Sequence, residues 1–195
     1  MVRVAYEWRA AVEHSGCMAT QNLDSSLGSC PTFEPFQAGR ISLERHLAGL
    51  ASYLGLGSNA DALLVHQSIL LDAYDGTLEL IEDLHAQGLT TACLSNTNAP
   101  HWEVMERPEN YPAIASIQVP VLSHVVNAEK PHRKIYEAFE QLVGVQGEFI
   151  VFFDDLLDNV MAAREMGWSA HLIDPKGEPA TQIRLILTDL GVLKP

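Results

Sequence analysis

Two adjacent carboxylates, Asp154 and Asp155, stand directly behind the apolar run Phe149 to Phe153. A run of that kind reads as a strand buried on both faces. Asn159 and a helical stretch, Val160 to Gly167, come next, so the acids occupy the loop leaving the C-terminal end of a strand. In open α/β sheets ligands bind at that end. Neighbouring carboxylates repel unless a cation joins them, and Mg²⁺ is the usual one; the competing reading is a helix cap beside a solvated acid. Ser95-Asn96 ends a second apolar run, residues 89–94, just before a helix. A hydroxyl with free backbone N–H groups there suits a phosphate oxygen, although Ser and Asn also fill ordinary turns. Lys130, ahead of Pro131 and a further helix, can reach inward to neutralise an anion or lie in solvent.

The elements that must position these loops are readable from periodicity. Residues 2–14 fit a helix and a strand, with helix preferred. Residues 15–38, rich in Ser, Gly and Cys, read as an irregular connection. Leu43, Leu47, Leu50 and Leu54 share one helical face between an N-cap at Ser42 and a stop at Gly55, and another helix is expected over about 61–71. From Gly76 the pattern alternates. Helices are expected at 77–87, 99–106, 131–143, 157–166 and 178–190, and strands at 89–94, 121–126, 149–153 and 169–173. That alternation implies an α/β fold, a doubly wound, mainly parallel sheet with helices on both faces. Residues 1–73 form a helical N-terminal region and residues 74–195 the α/β core.

Composition narrows the function. The formal charge of −13 argues against nucleic acid or an anionic membrane as partner, and leaves room for a small phosphorylated molecule in a pocket with local cations. Cys17, Cys30 and Cys93 have neither zinc spacing nor a disulfide framework. With no signal-peptide pattern or membrane-length apolar run, a reduced, cytoplasmic enzyme-like protein is the expectation.

The ordered set of loops resembles the haloacid dehalogenase-like hydrolase superfamily over about residues 74–173. Cys93-Leu94-Ser95-Asn96 resembles its second motif, Glu129-Lys130-Pro131 with Ile135-Tyr136 its third, and Phe152-Phe153-Asp154-Asp155 with Asn159, Ala162-Ala163 and Gly167 its fourth. Gly39-Arg40-Ile41-Ser42 extends a weaker match into a helical cap. The run Ser95-Asn96-Thr97-Asn98 with His101-Trp102 and Tyr111-Pro112 is most similar to the bacterial glucose-1-phosphate phosphatase branch and the phosphatase domain of soluble epoxide hydrolases. The resemblance implies that Ser95 hydrogen-bonds the transferring phosphoryl group, that Asn96 shapes and contributes to the phosphate loop, and that Lys130 neutralises phosphoryl charge. It implies that Asp155 ligates Mg²⁺, with Asp154 a secondary candidate where many relatives carry Gly. The acidic fourth motif points away from a dehalogenase.

One motif of that family has no counterpart here. An apolar strand ending in Asp-x-Asp should supply a nucleophile and a general acid and base. Before residue 61 the only Asp is Asp24, in a Ser-rich loop. Asp72 and Asp75, behind Ile69-Leu70-Leu71, place two residues between the acids where one is needed, and acids three apart on an extended chain point to opposite faces. In the family the absent strand lies between the strands ending at Ser95 and Asp155, so its loss leaves two strand edges open. Either the chain is truncated or another segment fills the slot, Val2 to Trp8 being the evident substitute. The expected function is that of a Mg²⁺-dependent phosphomonoesterase lineage acting on a sugar phosphate or similar metabolite, inactive as written. The alternative is a catalytically dead relative that binds a phosphometabolite or a protein partner.

Overall fold

The computed structural model describes residues 2–194. In chain order, β1 (Val2–Val4) leads to α1 (Trp8–Ser15), α2 (Phe33–Gln37), α3 (Leu43–Leu54), α4 (Asn59–Gln67) and β2 (Leu70–Ala73). Then come α5 (Thr77–Ala86), β3 (Ala92–Ser95), α6 (Ala99–Met105), α7 (Pro112–Ala115), β4 (Val119–Leu122), α8 (Ser123–Val126) and α9 (Arg133–Val143). The chain closes with β5 (Val151–Asp154), α10 (Leu157–Glu165), β6 (Ser169–Leu172) and α11 (Pro179–Asp189). Among the described residues no helix is long and apolar enough to cross a membrane. The chain divides into a helical unit, residues 2–72 with 98–104, and an α/β unit, residues 73–97 with 105–194.

In the helical unit, α3 obeys its local signals: the Ser42 hydroxyl accepts from Arg45 N, and Gly55 closes the helix at φ 65°. Its apolar stripe buries Leu47, Leu50 and Leu54 with Trp8, Val12, Ala62 and Val65. The preferred helix over 2–14 is corrected. Val2–Val4 is extended and forms a two-stranded sheet with Leu70–Ala73, and the helix starts at Trp8. The expected helix over 61–71 likewise stops at Gln67, because its last residues are taken into β2. Residues 15–38, expected to be irregular, contain a short 3₁₀ turn at Leu27–Ser29 and α2.

The helical unit also buries a polar chain of three histidines, His46, His66 and His101. Its hydrogen-bond directions follow from the groups that have only one role. His66 O can only accept, so His101 Nε2 donates to it at 2.8 Å. His101 Nδ1 then accepts from Asn98 Nδ2 at 3.3 Å. Asn98 Oδ1 accepts from His66 Nε2 at 3.4 Å, which leaves His66 Nδ1 to accept from His46 Nε2 at 3.1 Å. His66 and His101 are each neutral in this scheme, while His46 Nδ1 faces Thr32 O at 3.2 Å and Thr32 Oγ1 at 3.1 Å. Burial holds His66 well below the ordinary imidazole range and His101 down to about 4.

In the α/β unit, β3 runs parallel to β4 from Ala92↔Val119 to Ser95↔Leu122. β5 runs parallel to β6 from Val151↔Ser169 to Asp154↔Leu172. Among the described residues, β3 pairs with β4 alone and β5 with β6 alone, so each keeps one open edge. Val2–Val4 does not close them, being paired with β2. One core of this unit gathers Leu94, Val121, Ile135, Tyr136, Phe139, Phe152, Val160 and Trp168. Phe149, expected to begin the strand, instead ends a 3₁₀ turn and is 80% exposed. The strand is thus shifted forward and includes Asp154 as its last residue.

Candidate functional site

The C-terminal ends of β3 and β5 converge on Lys130. Ser95 is the last residue of β3, and Asn96 follows on the loop. The Asn96 side chain grips the backbone of Lys130 twice: its Nδ2 donates to Lys130 O at 2.9 Å, and its Oδ1 accepts from Lys130 N at 2.8 Å. Lys130 Nζ in turn donates to Asp154 Oδ2 at 2.7 Å and lies 5.7 Å from the centroid of the Phe152 ring. The two charged side chains are 11% and 5% exposed, so this is a buried ion pair. The sequence-predicted Ser95, Asn96, Lys130 and Asp154 are thereby brought to one end of the α/β unit by side chains 24 to 34 residues apart in the chain.

The adjacent acids have different surroundings. Asp154 Oδ1 accepts from Leu156 N and from Asn159 Nδ2, each at 2.9 Å, while Oδ2 takes Lys130. Both oxygens are therefore engaged by donors. Asp155 is exposed, and its carboxylate has no hydrogen bond or ion pair among the described residues. An oxygen donor open to water at a strand end suits Mg²⁺, which retains several waters and needs few protein carboxylates. Among the described residues no three His, Cys, Asp or Glu side chains gather in a metal-binding group. Asp72 and Asp75 are both exposed.

Ser123 and His124 build the site without having been singled out from the sequence. Ser123 Oγ accepts from Thr97 N at 2.9 Å and donates to Thr97 O at 3.0 Å, and His124 Nδ1 donates to the same carbonyl at 3.1 Å. Together they pin the loop that carries Ser95 and Asn96. The Thr97 hydroxyl itself is buried without a partner. Tyr136 donates its hydroxyl to Asn159 O at 2.9 Å and so anchors the first turn of α10. Burial, reinforced by the Asp154 charge, pushes the Tyr136 phenol well above its ordinary value and keeps it a donor at neutral pH. No sequence signal set Ser123 apart, because the strand expected over 121–126 runs through it, whereas β4 stops at Leu122 and Ser123 opens α8.

Comparison with known proteins places this arrangement in context. A family model described as haloacid dehalogenase-like hydrolase matches residues 10–167. Phosphatase MT3486 of Mycobacterium tuberculosis is 27% identical over 157 residues, covering 77% of this chain and 70% of that protein. Sesquiterpene phosphatase astK of Aspergillus oryzae is 25% identical over 174 residues, covering 88% and 86%. Among solved structures, a HAD family enzyme of Bacteroides thetaiotaomicron, in complex with magnesium and inorganic phosphate, superposes with a TM-score of 0.74 at 21% identity over 93% of each chain. At that identity the likeness speaks for the fold.

Proposed function

Because the chain belongs to the haloacid dehalogenase-like hydrolase family, we propose that its Ser95, Asn96, Lys130 and Asp155 form the phosphate and Mg²⁺ site of a phosphomonoesterase lineage. The substrate class is a small phosphorylated metabolite such as a sugar phosphate. The single observation that carries this reading is the Asn96–Lys130–Asp154 connection, which draws three separate loops to one point with a cation at its centre. Names among the relatives agree with it: two are called phosphatases, and one similar fold was solved with magnesium and inorganic phosphate.

Each residue then has a task. The Ser95 hydroxyl and the backbone N–H groups behind it hydrogen-bond the phosphoryl oxygens. Lys130, held by Asp154, supplies fixed positive charge where phosphoryl charge must be stabilised. Asp155 is the residue that would hold Mg²⁺, and the ion when bound neutralises phosphoryl oxygen charge. Asp154 aims Lys130 and leaves metal binding to its neighbour.

A covalent route needs a carboxylate nucleophile beside these groups. The 195 residues contain no Asp-x-Asp, and among the described residues the open edges of β3 and β5 carry no strand that could present one. These residues are accordingly assigned the binding half of the chemistry, with negligible turnover. The same observations favour a second reading, a catalytically dead relative that binds a phosphometabolite or a protein partner. The test is an assay with Mg²⁺ against p-nitrophenyl phosphate and glucose 1-phosphate, paired with calorimetric titration of inorganic phosphate. Phosphate binding strongly weakened, but still measurable, in Lys130→Ala, without turnover, is the expected result. Turnover that survives Asp72→Ala and Asp75→Ala would show that the chemistry is elsewhere.

A further inference from the structure

We propose that Asn96 is a positioning residue whose effect on phosphate passes through Lys130, an inference that rests on the reading of the site given above. A primary amide offers one carbonyl and one NH₂ group. Asn96 directs its carbonyl and one of its two N–H donors to the same residue, at 2.8 Å from Lys130 N and 2.9 Å to Lys130 O, so the amide plane is set by the Lys130 backbone. It thus holds Lys130 at its N–H and its C=O, as a neighbouring strand would. Other backbone ties of the 127–132 loop are local: Ala128 N to Ser123 O and His132 N to Glu129 O. The Asn96 pair is the long-range one, spanning 34 residues.

Holding the backbone matters because the lysine side chain is long and flexible. Its ammonium reaches Asp154 Oδ2 at 2.7 Å from a backbone fixed by Asn96. Loosen the backbone and the ammonium can still find Asp154, but no longer from one direction. The orientation of its remaining N–H donors, the ones a phosphoryl oxygen would use, then becomes variable. The residue type fits the task. Aspartate at 96 could accept from Lys130 N but would face Lys130 O with a second acceptor, and serine is too short to span both groups.

The test is a double-mutant cycle on the whole chain with inorganic phosphate as probe in the presence of Mg²⁺. Asn96→Ala should weaken phosphate binding about tenfold, equivalent to about 1.4 kcal/mol, and Asn96→Asp should fall between Ala and the parent. In a Lys130→Ala background Asn96→Ala should cost no more than about twofold, because its effect passes through the lysine. The second readout is the ¹³Cε signal of Lys130 in the unliganded protein, assigned with Lys130→Ala; Asn96→Ala should move it toward the value of a solvated lysine. An Asn96→Ala effect equally large without Lys130 would mean that the amide touches phosphate itself and would overturn the proposal. So would an unmoved Lys130 signal. A parent chain that binds no phosphate would defeat the functional reading, and the lysine signal would still decide the positioning role.

Discussion

Replacing Lys130 with methionine removes the cation from the Lys130–Asp154 pair while keeping most of its aliphatic stem. The side chains of the pair are 11% and 5% exposed, so the Asp154 charge left behind cannot be rescued by full hydration. Breaking a buried pair from one side costs about 3–5 kcal/mol. Asp154 Oδ1 retains its two donors, Leu156 N and Asn159 Nδ2, and only Oδ2 is orphaned, which places the expected loss near the lower end, about 3 kcal/mol. That is a large part of the roughly 5–15 kcal/mol that holds a domain together. The double variant Lys130→Met with Asp154→Asn keeps an Oδ1 acceptor for both donors and removes the buried charge, so it should recover about half of the loss or more. Urea unfolding followed at amide resonances of β5 and α10 reads the effect where it originates. A Lys130→Met loss below about 1 kcal/mol, or a double variant no more stable than the single one, would refute the claim that Asp154 is held as a buried charge by this lysine.

Thr97→Val should be neutral or stabilising by about 1 kcal/mol, because the hydroxyl it removes is buried without a partner; a fall in melting temperature of several degrees would mean that the hydroxyl is satisfied after all. The helical unit should weaken in acid. His66 and His101 are depressed by burial, so they stay neutral when folded while the unfolded chain takes up protons from about pH 6.5 downward. Their contribution is fully present above that pH and is lost as pH falls, reaching its limit for His101 near about 4; amide exchange in α3 and α4 that is no faster, after correction for the intrinsic rate, at pH 5 than at pH 7 would contradict this. Finally, fusing an apolar strand ending in Asp-x-Asp, about 10–20 residues with its loop, ahead of Val2 should close the open edges of β3 and β5 and raise thermal stability and phosphatase activity together. Changing only the first of those aspartates to asparagine should abolish the activity and keep the added stability, and a fusion no more stable than the parent would mean that the edges are not open to it.

Local signals in the sequence determined a good deal of this protein. Ser42 and Gly55 bound α3, and Leu43 to Leu54 set the stripe it buries, because caps and helical periodicity act over a few residues. The order of apolar strand and polar loop placed Ser95, Lys130 and Asp154-Asp155 at strand and helix ends, since parallel strands joined by helices send their C-termini the same way. Where two local readings were nearly equal, tertiary pairing decided. Residues 2–14 fit both periodicities, and partnership with Leu70–Ala73 made Val2–Val4 a strand and shortened α4 as well.

Only the folded chain distinguished Asp154 from Asp155. Consecutive residues leaving a strand face opposite ways, and β5, which starts two residues later than expected and ends on Asp154, turns Asp154 toward Lys130 and leaves Asp155 in solvent. The same holds for Asn96 gripping Lys130, for Ser123 and His124 pinning Thr97, and for the His46–His66–His101 chain, none of which has a spacing that a helix or strand period would bring together. Such contacts join groups tens of residues apart, and their geometry exists only after the helices and strands between them have packed; the sequence supplies the donors and acceptors, and the packing chooses which of them meet.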